Sequence, residues 1–126
     1  MGKIVNKKNF WKNKNVLITG HTGFKGSWMC ILLHFFGANI YGYSLKPKKK
    51  SLFLQSNIGK KIKKNYFRDV NDLINLKKII NLHKPEIIFH LASEALVLDS
   101  YKNPYKTFKT NLLGPLNLLE ILKNSK

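Results

Sequence analysis

Apolar residues in this chain form short runs that alternate with longer amphipathic stretches. Residues 16–18 and 87–89 are each three consecutive branched or aromatic apolar residues, which is typical of short buried strands. Residues 39–44 and 62–67 mix apolar and polar positions and predict two further strands, of which the second has the weaker pattern. The sequence therefore predicts four strands, and the first of them ends at Thr19.

Two helices are predicted between these strands. Residues 25–36 are largely apolar, and Gly37 follows them where a left-handed helix cap is expected. A second helix ends near His83, with apolar residues at the helical period. Either Asn71 or Asp72 can cap its beginning, because short polar side chains accept hydrogen bonds from first-turn amides.

A last helix is predicted after the fourth strand. It begins near Asn103 and Pro104, because asparagine is a good cap and proline suits the first helical position. Pro115 lies inside this helix and lacks the N–H that would bond to the carbonyl of Asn111, so a kink is expected at residues 111–115. The apolar stripe expected on this helix consists of Phe108, Leu112, Leu116, Leu119 and Leu122.

The order of these elements predicts an α/β fold. Strands that alternate with helices build a parallel sheet with right-handed crossovers. We expect a partial Rossmann-type, three-layer arrangement with about four strands in the order 3-2-1-4. Residues 15–126 form this domain and residues 1–14 precede it as a polar arm. A ligand of such a sheet lies across the carboxyl ends of strands 1, 2 and 4.

The turn after the first strand contains three glycines spaced three apart, Gly20, Gly23 and Gly26. The first permits a tight turn, the second lets the backbone approach phosphate groups, and the third lets helix and strand pack closely. Between a strand and a helix N-terminus, this loop favours a dinucleotide pyrophosphate site over a plain turn. A P-loop is not indicated, because no Gly-Lys-Ser/Thr closes the loop.

The chain is strongly basic, with a formal net charge of +17 and 23 Lys and Arg residues, of which only Arg68 is an arginine. Specific nucleic-acid binding relies on arginine forks, so we expect a solvated basic surface and no specific nucleic-acid partner. The single cysteine, Cys30, excludes an internal disulfide and fits a cytoplasmic protein. Four scattered histidines predict no metal site, and no apolar run is long enough to cross a membrane.

Several further motifs occur in a fixed order along the chain. Together they resemble the N-terminal part of the CDP-glucose 4,6-dehydratases, a family of extended short-chain dehydrogenase/reductases that act on nucleotide sugars. The block GHTGFKGSW is the specific part, whereas the other motifs are shared with related epimerases and sugar dehydratases. The motifs, which span about residues 10–124, are Phe10-Trp11, GHTGFKGSW from Gly20, GYSL from Gly42, SLF from Ser51, FRD from Phe67, KPEIIFHLA from Lys84, LV–SY from Leu96 to Tyr101, and TNLLG with LLE from Thr110.

The resemblance implies a cofactor site and its residues. The family's cofactor is NAD, and lysines near the second strand leave NADP open. Asn111 matches an asparagine of the family's active-site scaffold, and no metal is implied. The implied cofactor-binding residues are Gly20, Thr22, Gly23, Phe24, Lys25, Gly26, Ser44, Leu91, Ala92 and Ser93.

Two positions depart from the family pattern on the adenosine side. Where the second strand usually ends in an acidic residue that binds the ribose hydroxyls, the chain has Ser44, Leu45 and Lys46. By the resemblance, Tyr66 replaces the family's adenine-reading aspartate, and Asp69 aligns with a later aspartate whose ordinary role is to cap a helix. These departures predict weaker cofactor binding.

The family's catalytic tyrosine and lysine, four residues apart on a helix, follow a fifth strand that is not predicted here. Tyr105 and Lys109 have the same spacing but lie one helix too early, so we interpret them as coincidence. We therefore expect no catalytic residue, no activity of the chain alone, and completion by a C-terminal companion chain or a homo-oligomer. The substrate implied for the full-length family is a nucleotide sugar. The alternatives are a non-catalytic dinucleotide-binding or interaction module, and half of a related sugar-nucleotide epimerase or reductase.

Overall fold

The computed structural model describes residues 10–123, in which four parallel strands form one sheet. The strand order is β3-β2-β1-β4, which confirms the order predicted from the sequence. Thr19 pairs with Tyr43 of the neighbouring strand on one side and with His90 on the other, so the carboxyl ends of three strands meet. The strands are β1 (Asn15–Thr19), β2 (Asn39–Ser44), β3 (Lys64–Phe67) and β4 (Ile87–His90).

Helices and shorter helical turns connect the strands and follow β4. The sequence pattern missed α2 and α4, which have only four and six residues, too few to show a helical period. The helices are α1 (Phe24–Phe35), α2 (Leu52–Gln55), α3 (Leu73–His83), α4 (Val97–Lys102), α5 (Pro104–Phe108) and α6 (Gly114–Lys123), with a 3-10 turn at Ile58–Lys60 and a π-helical turn at Lys109–Leu113.

Two apolar clusters cover the two faces of the sheet. Alternate residues of β1 enter them, since Val16 and Ile18 belong to the first cluster and Leu17 to the second. In the first cluster they pack against Cys30 and Leu33 of α1. The second contains residues from α3 and α6 and comprises Leu17, Tyr43, Val70, Leu76, Ile79, Ile80, Leu118 and Ile121. The sheet therefore lies between two helical layers, as predicted.

Most predicted boundaries agree with the structure to within one or two residues. Gly37 has a φ of +80° after α1, which confirms the left-handed cap. Asp72 is the cap of α3, and its Oδ1 accepts a hydrogen bond from the N–H of Asn75 at 3.1 Å. The weak third strand begins at Lys64, two residues later than predicted. Trp11 packs on the first cluster, while residues 1–9 of the predicted arm lie outside the described residues.

The stripe predicted on the last helix is wrong. Phe108, Leu112, Leu116 and Leu119 are exposed, and the buried residues of α6 are instead Gly114, Leu118 and Ile121. Of the predicted stripe, only Leu122 packs against the second cluster. The physical reason is the π-helical turn, in which the N–H of Gly114 donates to the carbonyl of Lys109. This turn inserts an extra residue and rotates the following helix, so a single helical period does not describe residues 104–123.

The backbone distortion expected near Pro115 is present as this π-helical turn. It lies at Lys109–Leu113, slightly before the predicted range of 111–115. Because the wider turn precedes the proline, it accommodates a residue that cannot donate a backbone hydrogen bond. The helix therefore continues through Pro115 as α6.

Candidate functional site

A cavity of about 990 Å³ opens at the carboxyl ends of β1, β2 and β4. Its volume is in the range typical of small-molecule sites. Eight of the cofactor-binding residues predicted from the sequence lie in its wall. They are Gly20, Thr22, Gly23, Phe24, Ser44, Leu91, Ala92 and Ser93.

Three predicted residues lie outside that wall. Lys25 is exposed on the first turn of α1, and Gly26 is buried beneath the glycine loop. Asn111 belongs to the π-helical turn. Each of them contacts or adjoins a segment that lines the cavity. We therefore expect these residues to support the cavity wall rather than to contact a ligand directly.

The glycine loop has the geometry that its three glycines require. Gly20 has a φ of +72°, and a Cβ there would lie 2.6 Å from the backbone nitrogen of Ala92. A Cβ at Gly26 would overlap the carbonyl oxygen of Gly20, so this glycine allows the helix to pack on the loop. Gly23 faces the cavity, and its N–H donates to the carbonyl of Gly20 at 3.0 Å. The backbone therefore forms a tight cradle at the end of β1.

The N-terminus of α1 points into this cradle without a side-chain cap. Gly23 is the cap residue, no side chain accepts from the first-turn amides, and no acidic residue occurs in that turn. First-turn amides have no partner inside the helix, and the helix dipole places partial positive charge there. Such a terminus binds phosphate groups. The residues present therefore fit the pyrophosphate of a dinucleotide.

Thr19 and His90 join the loop to the segment after β4. The Thr19 Oγ1 lies 2.7 Å from His90 Nδ1 and accepts hydrogen bonds from the N–H groups of Leu91 at 3.1 Å and Ala92 at 3.3 Å. The threonine hydroxyl therefore donates to Nδ1, which places the proton of a neutral imidazole on Nε2. Burial lowers the pKa of His90 and favours this neutral form. These bonds hold residues 91–93 against the glycine loop.

Asn111 fixes the same segment from the opposite side. Its Oδ1 accepts from the N–H of Glu94 at 2.8 Å, and its Nδ2 donates to the carbonyl of Glu94 at 3.0 Å. The Glu94 carboxylate forms an ion pair with Lys106 at 2.8 Å. Asn111 therefore positions a part of the cavity wall without lining it.

The side chain of His21, a residue of the glycine loop, anchors this loop to the neighbouring strands. Its Nε2 lies 3.0 Å from the Oδ1 of Asn65, whose Nδ2 donates to the carbonyl of Gly59 at 2.8 Å, so the imidazole is the donor. Burial lowers the pKa of His21 to about 4. A Cβ at Gly42 would overlap the ring. A neutral histidine therefore ties the loop to β3 and requires glycine in β2.

Asp69 is a wall residue that the sequence interpretation missed. It lines the cavity after β3, and its Oδ1 accepts from the N–H of Asn71 at 2.9 Å. Tyr66 instead points away from the cavity, since its hydroxyl lies 2.7 Å from His83 Nε2. The capping role expected of Asp69 belongs to Asp72. The sequence contains a signal for this assignment, because Asp69 and Asp72 are three residues apart. Asp72 caps α3, which leaves Asp69 at the end of β3.

Tyr105 and Lys109 both lie in the cavity wall. They are one helical turn apart, as their spacing predicts. Tyr105 is 75% exposed, so its hydroxyl lies in an open, solvated part of the cavity. The interpretation of the pair as coincidence stays a prediction.

Two negative observations hold for the part of the chain that the structure describes. Within residues 10–123, no group of three or more His, Cys, Asp or Glu side chains is placed to hold a metal ion. In the same range no helix has the length and apolar character needed to span a bilayer.

Sequence relatives agree with the resemblance drawn from the motifs. A sequence model described as GDP-mannose 4,6 dehydratase matches residues 17–126. A CDP-glucose 4,6-dehydratase from Salmonella typhimurium is 43% identical over 117 residues, which make up 92% of this chain and 32% of that protein. The predicted resemblance is therefore confirmed.

Solved structures of related enzymes share the fold. UDP-glucose 4-epimerase of Thermus thermophilus, in complex with NAD, has a TM-score of 0.74 and 29% identity, covering 86% of this chain and 33% of that one. UDP-glucose 4-epimerase of Thermotoga maritima, with UDP-glucose, has a TM-score of 0.73 and 32% identity, covering 85% and 33%. The chain thus spans about a third of the length of these relatives. Since the family match extends over most of its length, the chain belongs to the GDP-mannose 4,6-dehydratase family of nucleotide-sugar dehydratases and epimerases.

Proposed function

We propose that this chain is the cofactor-binding portion of a nucleotide-sugar 4,6-dehydratase, most similar to those that convert CDP-glucose to CDP-4-keto-6-deoxyglucose. The observation that carries the proposal is the glycine cradle at the uncapped N-terminus of α1, within a chain 43% identical to a CDP-glucose 4,6-dehydratase. Solved relatives contain NAD, which supports a nicotinamide dinucleotide as the cofactor of the family.

The residues of this chain would hold the cofactor, NAD(H) or NADP(H), in three places. First-turn amides of α1 bind the pyrophosphate, and Gly23 allows its close approach. The end of β2, with Ser44, borders the adenosine ribose. The segment Leu91, Ala92 and Ser93 borders the nicotinamide ribose. A bound nicotinamide supplies the hydride acceptor and donor for internal oxidation and reduction of the sugar.

We propose that the chain alone is inactive. Oxidation at a sugar hydroxyl needs a positioned base, and loss of water needs a further acid and base. The cavity wall contains three carboxylates: Glu94 is held in an ion pair, Asp69 is held in an Asx-type turn, and Asp99 is exposed in the first turn of α4. Activity would then require a C-terminal companion chain or another copy. The strand β4, at the open edge of the sheet, offers unpaired backbone groups for such an association.

Titration calorimetry with NAD(H) and NADP(H) tests the cofactor proposal. We expect a single site with a Kd between high micromolar and millimolar, because the adenosine side lacks the usual acidic contact. Gly23→Val should abolish binding, since its side chain would occupy the phosphate approach. Lys25→Ala, a control whose backbone N–H is retained, should bind as the parent does. Equal binding by the parent and a folded Gly23→Val variant would refute a site at the loop.

An enzyme assay tests the reaction. The purified chain with cofactor and CDP-glucose should form no 4-keto-6-deoxy sugar, and product should appear only when a chain carrying the missing catalytic half is added. Product from the chain alone that disappears in Tyr105→Phe would overturn the proposed inactivity. It would also give Tyr105 the chemical role that we interpret as coincidence.

Half of a sugar-nucleotide epimerase is the second candidate. The observation that favours it is the likeness to UDP-glucose 4-epimerases, with TM-scores of 0.73 and 0.74. In the reconstituted assay, an epimerase would invert the sugar at one carbon without loss of water. The mass of the product therefore distinguishes the two reactions.

A further inference from the structure

The acidic and basic residues of this chain are unevenly distributed around the cavity. No carboxylate side chain occurs before Asp69, so residues 1–68 contribute only cations. The carboxyl end of β2 belongs to this part of the chain and ends in Ser44, Leu45 and Lys46. In Rossmann-type sites this strand end borders the 2′ position of the adenosine ribose, where an acidic residue binds the 2′-hydroxyl of NAD. Here no acidic residue occupies this strand end.

Three lysines occupy the wall in its place. Lys46, Lys48 and Lys50 all line the cavity and are exposed. Within residues 10–123 the two ion pairs are Lys14 with Glu86 and Lys106 with Glu94, so none of the three wall lysines is neutralised by a carboxylate. Three uncompensated positive charges at one wall attract a multiply charged anion.

Hydroxyl groups line the same side of the cavity. Thr22 Oγ1 donates to the carbonyl of Leu45 at 2.9 Å and lies 2.9 Å from Ser44 Oγ, so Ser44 donates to Thr22. This pair fixes the end of β2 against the glycine loop.

We propose that this site selects the 2′-phosphorylated cofactor, NADP(H), over NAD(H). The inference rests on the proposed function, because it concerns the adenosine side of the same site. A phosphate monoester carries a charge of about −1.5 to −2 near pH 7 and accepts several hydrogen bonds. It therefore gains from the lysines, whereas the 2′-hydroxyl of NAD finds no carboxylate at the end of β2. Lys46, two residues after the last residue of β2, is the principal specificity residue.

Fluorescence titration of the full 126-residue chain with NADPH and with NADH, at about 0.15 M salt, tests this selection. We expect NADPH to bind at least about tenfold more tightly, the effect of one good charge-assisted contact. Lys46→Asp restores an acceptor at the strand end and should reverse the preference. Lys60→Asp makes the same change of charge on an exposed residue outside the cavity wall and should leave the ratio unchanged.

The outcomes separate this inference from the proposed function. Equal affinity for NADPH and NADH, or a ratio that Lys46→Asp and Lys60→Asp change to the same extent, would overturn the selection while leaving the dinucleotide site intact. Binding of neither nucleotide, or binding that a folded Gly23→Val variant retains, would refute the dinucleotide site and the selection with it.

Discussion

Acidification tests how the glycine loop is supported, because His21 is neutral and buried behind it. Burial lowers the pKa of His21 from 6.5 to about 4 in the folded chain. The unfolded chain takes up this proton near pH 6.5, whereas the folded chain resists it until about pH 4. The contribution of His21 to the unfolding free energy is therefore fully present above pH 6.5, and it is lost as the pH falls toward 4.

The size of the effect follows from the difference between the two pKa values. A difference from 6.5 to about 4 corresponds to about 3 kcal/mol of unfolding free energy once both states are protonated. Between pH 7 and pH 5 the expected loss is about 2 kcal/mol, because the folded chain is still unprotonated at His21 at pH 5. This is a large part of the stability of a small domain.

Urea unfolding at pH 7, 6 and 5 measures this loss. The matched variant is His21→Gln, whose amide retains a donor toward Asn65 but does not titrate. We expect the parent to lose about 2 kcal/mol more than the variant between pH 7 and pH 5, whatever their difference at pH 7. The comparison removes contributions from His83 and His90, whose pKa values are also lowered by burial. Equal losses in the two proteins would refute the neutral, buried state of His21.

Three further substitutions test the packing around the site. Gly42→Ala should lower the unfolding free energy by about 1–3 kcal/mol, because its Cβ would overlap the His21 ring. In a His21→Ala background this cost should be smaller, and equal costs in the two backgrounds of a double-mutant cycle would contradict the contact. Asn111→Ala removes two hydrogen bonds to the segment after β4, so hydrogen exchange there should quicken by roughly tenfold or more, while unchanged exchange would show that Asn111 does not fix the wall. Leu76→Ala, at a fully buried position, should cost about 2–5 kcal/mol in urea unfolding, whereas Ile74→Ala, at 81% exposure, should cost under about 0.5 kcal/mol. Similar costs would contradict the buried position of Leu76 and the exposed position of Ile74.

The sheet and the loop were predictable because their signals are local. Residues 16–18 and 87–89 are short apolar runs, and both form strands next to each other in the sheet. Gly20, Gly23 and Gly26 indicate a tight turn whose geometry depends on the absence of side chains, which the sequence shows directly. Local backbone requirements of this kind do not depend on distant contacts.

The last helix and the adenosine wall depend on tertiary context, and there the sequence was insufficient. The stripe that includes Phe108 and Leu119 assumed one continuous period, which the π-helical turn interrupts. The sequence interpretation placed Tyr66 at the position of the adenine-reading aspartate, but Tyr66 lies inside β3 and its hydroxyl contacts His83. Asp69 follows the strand end, which was predicted correctly at Phe67, and it is Asp69 that lines the cavity.

The central claim is that the glycine loop and the segment after β4 together bind a nicotinamide dinucleotide. Titration of the isotope-labelled chain with NADPH, followed by NMR of the backbone amides, tests it most directly. We expect saturable shifts at Gly20, Gly23 and Phe24 together with Leu91 and Ala92, because these residues line one cavity. Shifts that never saturate and are confined to the lysine-rich surface of residues 60–64, with the loop unaffected, would contradict it.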